Sequence, residues 1–223
     1  MPSGKVLLVP GTAASVGIFD PGTDTFSLVS TTISGDGKYT GGVLLPSGKV
    51  LLVPQNAEKV GIFDSASETF SLVGPTIAGA GKFLGGVLLP SGKVAFVPSS
   101  AEKVGVFDPA NNTFSLVSAA IGGSINYFGG VLLKNGKVLF VPFYTATVGM
   151  FDPATNKFST VALSGRDRYR SGVLLPNGKV VFAPGNADNV GMFDPGSAEP
   201  AYTVEGGVPD AWRPLLSPHF NKF

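Results

Sequence analysis

Cysteine is absent from this 223-residue chain, so disulfides, thiol chemistry and thiolate-ligated zinc are excluded, and the redox compartment is left open. Histidine is nearly absent. The single one, His219, stands in the terminal tail with no evident partner, which argues against a catalytic triad or a histidine-ligated metal. Charge is scarce at 14% of residues and nearly balanced at +1, which gives no footprint for nucleic acid or an anionic membrane surface. No apolar run is long enough to span a bilayer, so no membrane insertion is expected. Met1-Pro2-Ser3-Gly4-Lys5 is already repeat sequence, so a soluble chain without a signal peptide is expected, with its compartment unassigned. No phosphate-binding glycine phrase opens a helix, and no cofactor or metal is expected.

What the chain has instead is repetition. Gly41–Val50 and Gly85–Val94 both read Gly-Gly-Val-Leu-Leu-Pro-Ser-Gly-Lys-Val, with variants at Gly129–Val138 and Ser171–Val180. A clipped copy opens the chain at Pro2–Val6. The period is 44 residues up to Lys134 and 42 to Pro176, which means stacked copies of one supersecondary unit. Gly and Pro recur at fixed places within each copy and read as turn punctuation.

One copy contains four short apolar runs: Gly85–Leu89, Lys93–Val97, Val104–Asp108 and Thr113–Val117. Each has strand length and is bounded by turn residues, and nothing has helical period. Asn135-Gly136 and Asn177-Gly178 are hairpin signals. We name the runs strands a to d. Runs that are apolar on both faces predict sheets covered on both sides, as in stacked propeller blades.

The phrases Val-Leu-Leu-Pro-Asn-Gly-Lys-Val-Val-Phe, Val-Gly-Met-Phe-Asp-Pro and Thr-Asn-Lys-Phe-Ser resemble the kelch repeat over nearly the whole chain. The departure is the Gly pair. Kelch repeats carry it after the second strand, whereas Val53-Pro54, Val97-Pro98 and Val141-Pro142 stand there and the pair precedes strand a. The resemblance implies four-stranded blades with strand a innermost.

The expected fold is therefore all-β: a five-bladed propeller of four-stranded antiparallel blades in one domain. Its copies run about 1–40, 41–84, 85–128, 129–170 and 171–210. Asp-x-aromatic-Arg recurs at Asp167–Arg170 and Asp210–Arg213, each aromatic eight residues after a strand-d valine. Residues 211–218, with Pro214-Leu215-Leu216 as a strand a, are accordingly expected to close the ring beside Lys5–Val9.

Lysines 5, 49, 93, 137 and 179 each precede an aspartate by fifteen residues: Asp20, Asp64, Asp108, Asp152 and Asp194. Symmetric pairing of strands b and c sets Lys49 opposite Asp64 as a cross-strand ion pair. The b–c loops and d–a connections vary most between copies, and they share one face. Aromatics precede each strand a (Tyr39, Phe83, Tyr127, Tyr169 and Trp212), either as plugs between blades or as a stacking ring for a flat ligand. Charge concentrates in one sector: Arg166, Asp167, Arg168 and Arg170, with Asp210 and Arg213. These guanidinium groups would hold a carboxylate or phosphate, or pair with the aspartates across the seam.

The candidate contact set is Arg166, Asp167, Arg168, Tyr169, Arg170, Asp210, Trp212 and Arg213. The complete inner strands carry no acid, and Asp167 and Asp210 are flanked by arginine, so no catalytic residue is assigned. The expected function is a binding or scaffold module without enzymatic activity, contacting a protein partner and monomeric in isolation. Alternatives are a lectin-like module using Asn56, Ser99 and Asn186, a glycoside hydrolase using Asp167 and Asp210, and a peripheral subunit of a large assembly.

Overall fold

The computed structural model describes residues 1–31, 33–121, 127–163 and 169–196, and the backbone of Tyr202–Glu205. Every regular element among them is a strand. A three-stranded sheet opens the chain: β1 (Val6–Leu8), β2 (Ser15–Asp20) and β3 (Thr25–Ser30). Four four-stranded antiparallel sheets follow. The second holds β4 (Tyr39–Leu44), β5 (Val50–Pro54), β6 (Val60–Asp64) and β7 (Thr69–Val73). The third holds β8 (Phe83–Leu88), β9 (Val94–Pro98), β10 (Val104–Asp108) and β11 (Thr113–Val117). The fourth holds β12 (Tyr127–Leu132), β13 (Val138–Pro142), β14 (Thr147–Asp152) and β15 (Lys157–Ala162). The fifth holds β16 (Tyr169–Leu174), β17 (Val180–Pro184), β18 (Val190–Phe193) and β19 (Tyr202–Glu205).

Turn chemistry explains the hairpins. At the a–b turn, Gly48 N–H donates to Leu45 C=O (2.9 Å) and Leu45 N–H to Lys49 C=O (2.8 Å). Gly48 takes φ +82°, the left-handed position that a three-residue hairpin loop requires. At the c–d turn, Asp64 Oδ1 accepts from Ala66 N–H at 3.0 Å, a local turn repeated by Asp108, Asp152 and Asp194.

The register sets Val50 opposite Phe63 and Leu52 opposite Gly61, which carries Lys49 to Asp64 as expected. Ion pairs form at all five positions, from 3.0 Å for Lys49–Asp64 to 3.9 Å for Lys137–Asp152. Their side chains remain partly open to solvent, so they add modestly to stability.

The first strands of successive sheets, β4, β8, β12 and β16, lie against one another, giving a propeller-like stack of blades. β5, β9 and β13 are buried along their whole length, which accounts for runs without polar alternation. Apolar clusters fill each gap between neighbouring sheets. Tyr39, Phe83, Tyr127 and Tyr169 are fully buried. They pack on the glycine of their own sheet's third strand: a Cβ at Gly105 would come within 3.0 Å of Phe83 and one at Gly191 within 2.8 Å of Tyr169. The glycine of Val-Gly-x-Phe-Asp is thus a seat for a ring.

The sheets are not closed among the described residues. β1 pairs with β2 alone, and Val6 and Leu8 are about half exposed. The expected closing strand at Pro214–Leu216 lies outside the described residues.

Candidate functional site

The face carrying the b–c loops is assembled from backbone outward. Each first strand enters through a bulge: pairing steps from Tyr39–Pro54 to Gly42–Leu52, and likewise in the next two sheets. In the fifth sheet the step falls between Tyr169 and Ser171. Gly41, Gly85 and Gly129 occupy these bulges with φ of +89°, +112° and +76°. The residue just before each is Thr40, Leu84 or Phe128, and in the fifth sheet Arg170 before Ser171, so one geometric position carries four different chemistries.

Successive blades are tied by a run of backbone hydrogen bonds. Lys38 N–H donates to Gly11 C=O (2.9 Å), Gln55 N–H to Lys38 C=O (3.0 Å), Lys82 N–H to Gln55 C=O (3.0 Å) and Ser99 N–H to Lys82 C=O (2.9 Å). Two lysine side chains reinforce the run. Lys38 Nζ donates to the carbonyls of Thr12 (2.9 Å) and Gly35 (2.7 Å), and Lys82 Nζ to those of Ala57 (3.0 Å) and Gly79 (2.6 Å). Both lysines are buried. Burial holds the Lys82 ammonium below its ordinary pKa, with the Glu58 charge opposing that shift. Asn56 bridges neighbouring connections, donating from Nδ2 to Asp36 C=O and accepting from Gly81 N–H at Oδ1. A cleft of about 410 Å³ lies beside these ties, lined by Ile33, Lys38, Asn56, Glu58 and Leu72 among others.

The fourth sheet departs from this scheme. Its b–c loop reads Phe143-Tyr144-Thr145-Ala146 where the second sheet has Gln55-Asn56-Ala57-Glu58. Phe128 and Phe143 rings lie 5.5 Å apart, and Tyr144 stands edge-on to Phe143 at 4.3 Å. Across the interblade gap, the Arg170 guanidinium sits 5.0 Å from the centre of the Phe143 ring and 5.5 Å from that of Phe128. Arg170 is exposed, and among the described residues no carboxylate lies within 4.0 Å of it. Thr145, Thr147 and Tyr127 hydroxyls form a chain at 3.0 and 3.2 Å that holds the loop behind the aromatic wall.

Of the expected contact residues, Arg170 stands on this face. Tyr169 does not present itself to a ligand: its ring is fully buried between sheets, because the glycine seat on β18 draws it inward. Arg166, Asp167, Arg168, Asp210, Trp212 and Arg213 lie outside the described residues, as does His219. The residues put forward for sugar binding divide. Asn56 is committed to backbone, Ser99 is buried and Asn186 is exposed. Sequence reasoning missed the aromatic wall. Its signal was the replacement of Gln55-Asn56 by Phe143-Tyr144 in one copy, beside Phe128. The buried Lys38 and Lys82 were missed too, and Gly-x-Gly-Lys before the plug aromatic marked them in both copies. Among the described residues no cluster of three or more metal-ligating side chains occurs, and no helix is long and apolar enough to cross a membrane.

No family model matches the chain, and no curated protein matches it. Solved structures do. One is a catalytically inactive variant of virginiamycin B lyase from Staphylococcus aureus with quinupristin. The identity is 11%, 92% of this chain covers 67% of that one, and the TM-score is 0.78. Hydrazine synthase from Kuenenia stuttgartiensis matches at 14% identity over 92% of this chain and 64% of that one, with a TM-score of 0.69. An auxiliary nutrient binding protein from Bacteroides ovatus matches at 14% identity over 94% and 56%, with a TM-score of 0.67. These likenesses support the propeller-like fold. They also correct the expectation of a chain without enzymatic activity: virginiamycin B lyase is an enzyme on this architecture, so the fold gives no ground for excluding catalysis. The repeated four-stranded sheets fit a propeller, while no family model identifies them as kelch repeats.

Proposed function

We propose that this chain is a binding module whose contact surface is the b–c loop face, centred where Arg170 stands against Phe128 and Phe143. The observation that carries this is the contrast between sectors. In the second and third sheets the loop's polar groups are consumed in blade-to-blade ties, through Lys38, Lys82 and Asn56. The fourth sheet instead turns the Tyr144 ring toward solvent, and the fifth sheet sets the exposed Arg170 guanidinium against its Phe128 and Phe143 rings. Exposed aromatic and arginine groups together are the composition of contact surfaces. Arg166, Asp167, Arg168, Asp210, Trp212 and Arg213 belong to the same contact set by sequence, and the partner proposed for this face is a protein. The nutrient-binding neighbour lends support to a binding role on this architecture.

The test is capture from native extract with the unaltered chain, an Arg170→Ala/Tyr144→Ala pair, and Lys49→Ala on the opposite face. The expected result is a partner retained by Lys49→Ala and lost by the pair. A partner list unchanged by the pair removes this surface.

A further inference from the structure

Resting on that reading of the loop face, we propose that the Arg170 sector is a small-molecule subsite for a ring-bearing carboxylate, with the carboxylate on the guanidinium and the ring against the aromatic wall. Two observations converge. The Arg170 guanidinium lies over two aromatic rings, at 5.0 and 5.5 Å from their centres, which restrains a side chain that would otherwise sample many rotamers. A restrained planar fork matches a carboxylate in two parallel hydrogen bonds at reduced entropic cost. Among the described residues its charge has no carboxylate partner within 4.0 Å, so none of them competes with an incoming anion.

Charge and surroundings set the ligand class. One described cation amid Phe128, Phe143 and Tyr144 balances a monoanion. The Phe128, Phe143 and Tyr144 rings beside it favour a ligand that carries apolar surface along with its charge. The Tyr144 ring is 44% exposed and edge-on to Phe143, which gives the ligand's ring an aromatic surface beside the guanidinium. An acidic sugar such as a hexuronate and an aromatic acid share this chemistry, a ring with an apolar face carrying one carboxylate.

The probes are glucuronate and phenylacetate, each beside its uncharged amide, titrated calorimetrically into the full chain at low salt. The expected result is binding of at least one acid, at least about tenfold weaker binding of its amide, and a similar loss of acid binding in Arg170→Gln. Tyr144→Ala should weaken acid and amide by the same factor, a split that a merely structural arginine would not produce. Thermal unfolding of both variants should match the unaltered chain, because both side chains are exposed. Binding of glucuronate alone assigns the sugar source, and binding of phenylacetate alone assigns the aromatic acid. Equal binding of acid and amide, or binding of none of the probes, overturns the inference. If a captured partner still depends on Arg170 in that case, the loop-face reading survives it. Capture indifferent to Arg170 defeats that reading instead.

Discussion

Lys5-Val6-Leu7-Leu8-Val9-Pro10 and Lys49-Val50-Leu51-Leu52-Val53-Pro54 are the same six residues, yet they live in different surroundings. Val50 is 6% exposed and Leu52 0%, whereas Val6 is 47% and Leu8 49% exposed. β5 is flanked by β4 and β6 and covered by the next blade, while β1 has only β2 beside it. Burial here belongs to the neighbourhood and not to the strand. A hydrophobic run in a stacked repeat is half of an interface, and the other half is supplied by the adjoining copy.

The sharpest test of this contrast is a pair of identical substitutions. Leu52→Ala should cost about 2–5 kcal/mol, since the site is fully enclosed. Leu8→Ala should cost about 0.5 kcal/mol or less. Urea unfolding midpoints measure both. If Leu8→Ala proves as costly as Leu52→Ala, a strand covers β1 in solution, as the expected closure by Pro214–Leu216 requires.

Next in size is the blade-to-blade tie at Lys82. Lys82→Met keeps the buried stem and removes both hydrogen bonds to carbonyls, for an expected loss of about 1–3 kcal/mol. Its pH dependence has a definite sign. The folded pKa is lowered by burial, so the unfolded chain binds more protons in the window between the two values. The group's contribution to stability is full above the unfolded value of about 10.4 and lost as pH falls through the lowered folded value. Lys82→Met should flatten the stability profile on that alkaline side, measured as melting temperature against pH. Arg168 occupies the same repeat position as Lys38 and Lys82 in sequence, one residue before the plug aromatic.

The smallest effects belong to the cross-strand ion pairs. Lys93→Ala should change stability by about 1 kcal/mol or less, because the pair is half open to solvent. Asp108→Ala should cost more than Lys93→Ala, since Oδ1 also accepts from Ala110 N–H in the c–d turn. At Asp64, the hydrogen bond from Lys49 and then that from Ala66 N–H hold the carboxyl below its ordinary pKa. Its contribution is accordingly present above the unfolded value of about 3.9 and fades as pH falls through the lowered one.

Most of the fold was legible because the information is local and repeated. Strand lengths, the Ser-Gly and Asn-Gly turns, and the fifteen-residue Lys-to-Asp offset each follow from a hairpin register that four or five copies state again. The aromatic plugs were recognisable as a recurring position, but the choice between gap-filling and ligand-stacking was not, since it depends on a glycine two strands away. The candidate site was legible only at Arg170. Its neighbours come from a strand of the adjoining sheet (Phe128) and that sheet's b–c loop (Phe143 and Tyr144), and only the stacking of the two sheets brings rings and guanidinium within 5.5 Å. Tyr169 misled for a related reason: adjacency to arginine in sequence says nothing about which way a bulged strand turns its side chains.

The bulge glycines meet almost backbone to backbone, with a Cβ at Gly41 falling 3.4 Å from Gly85 and one at Gly85 falling 3.3 Å from Gly129. Leaves bound so tightly along one spine share a common pivot, and what tells them apart there is the residue just ahead of it, Thr40, Leu84, Phe128 or Arg170. Such a binding can be lengthened by whole leaves without inventing a new joint, and each added leaf brings its own mark beside the spine.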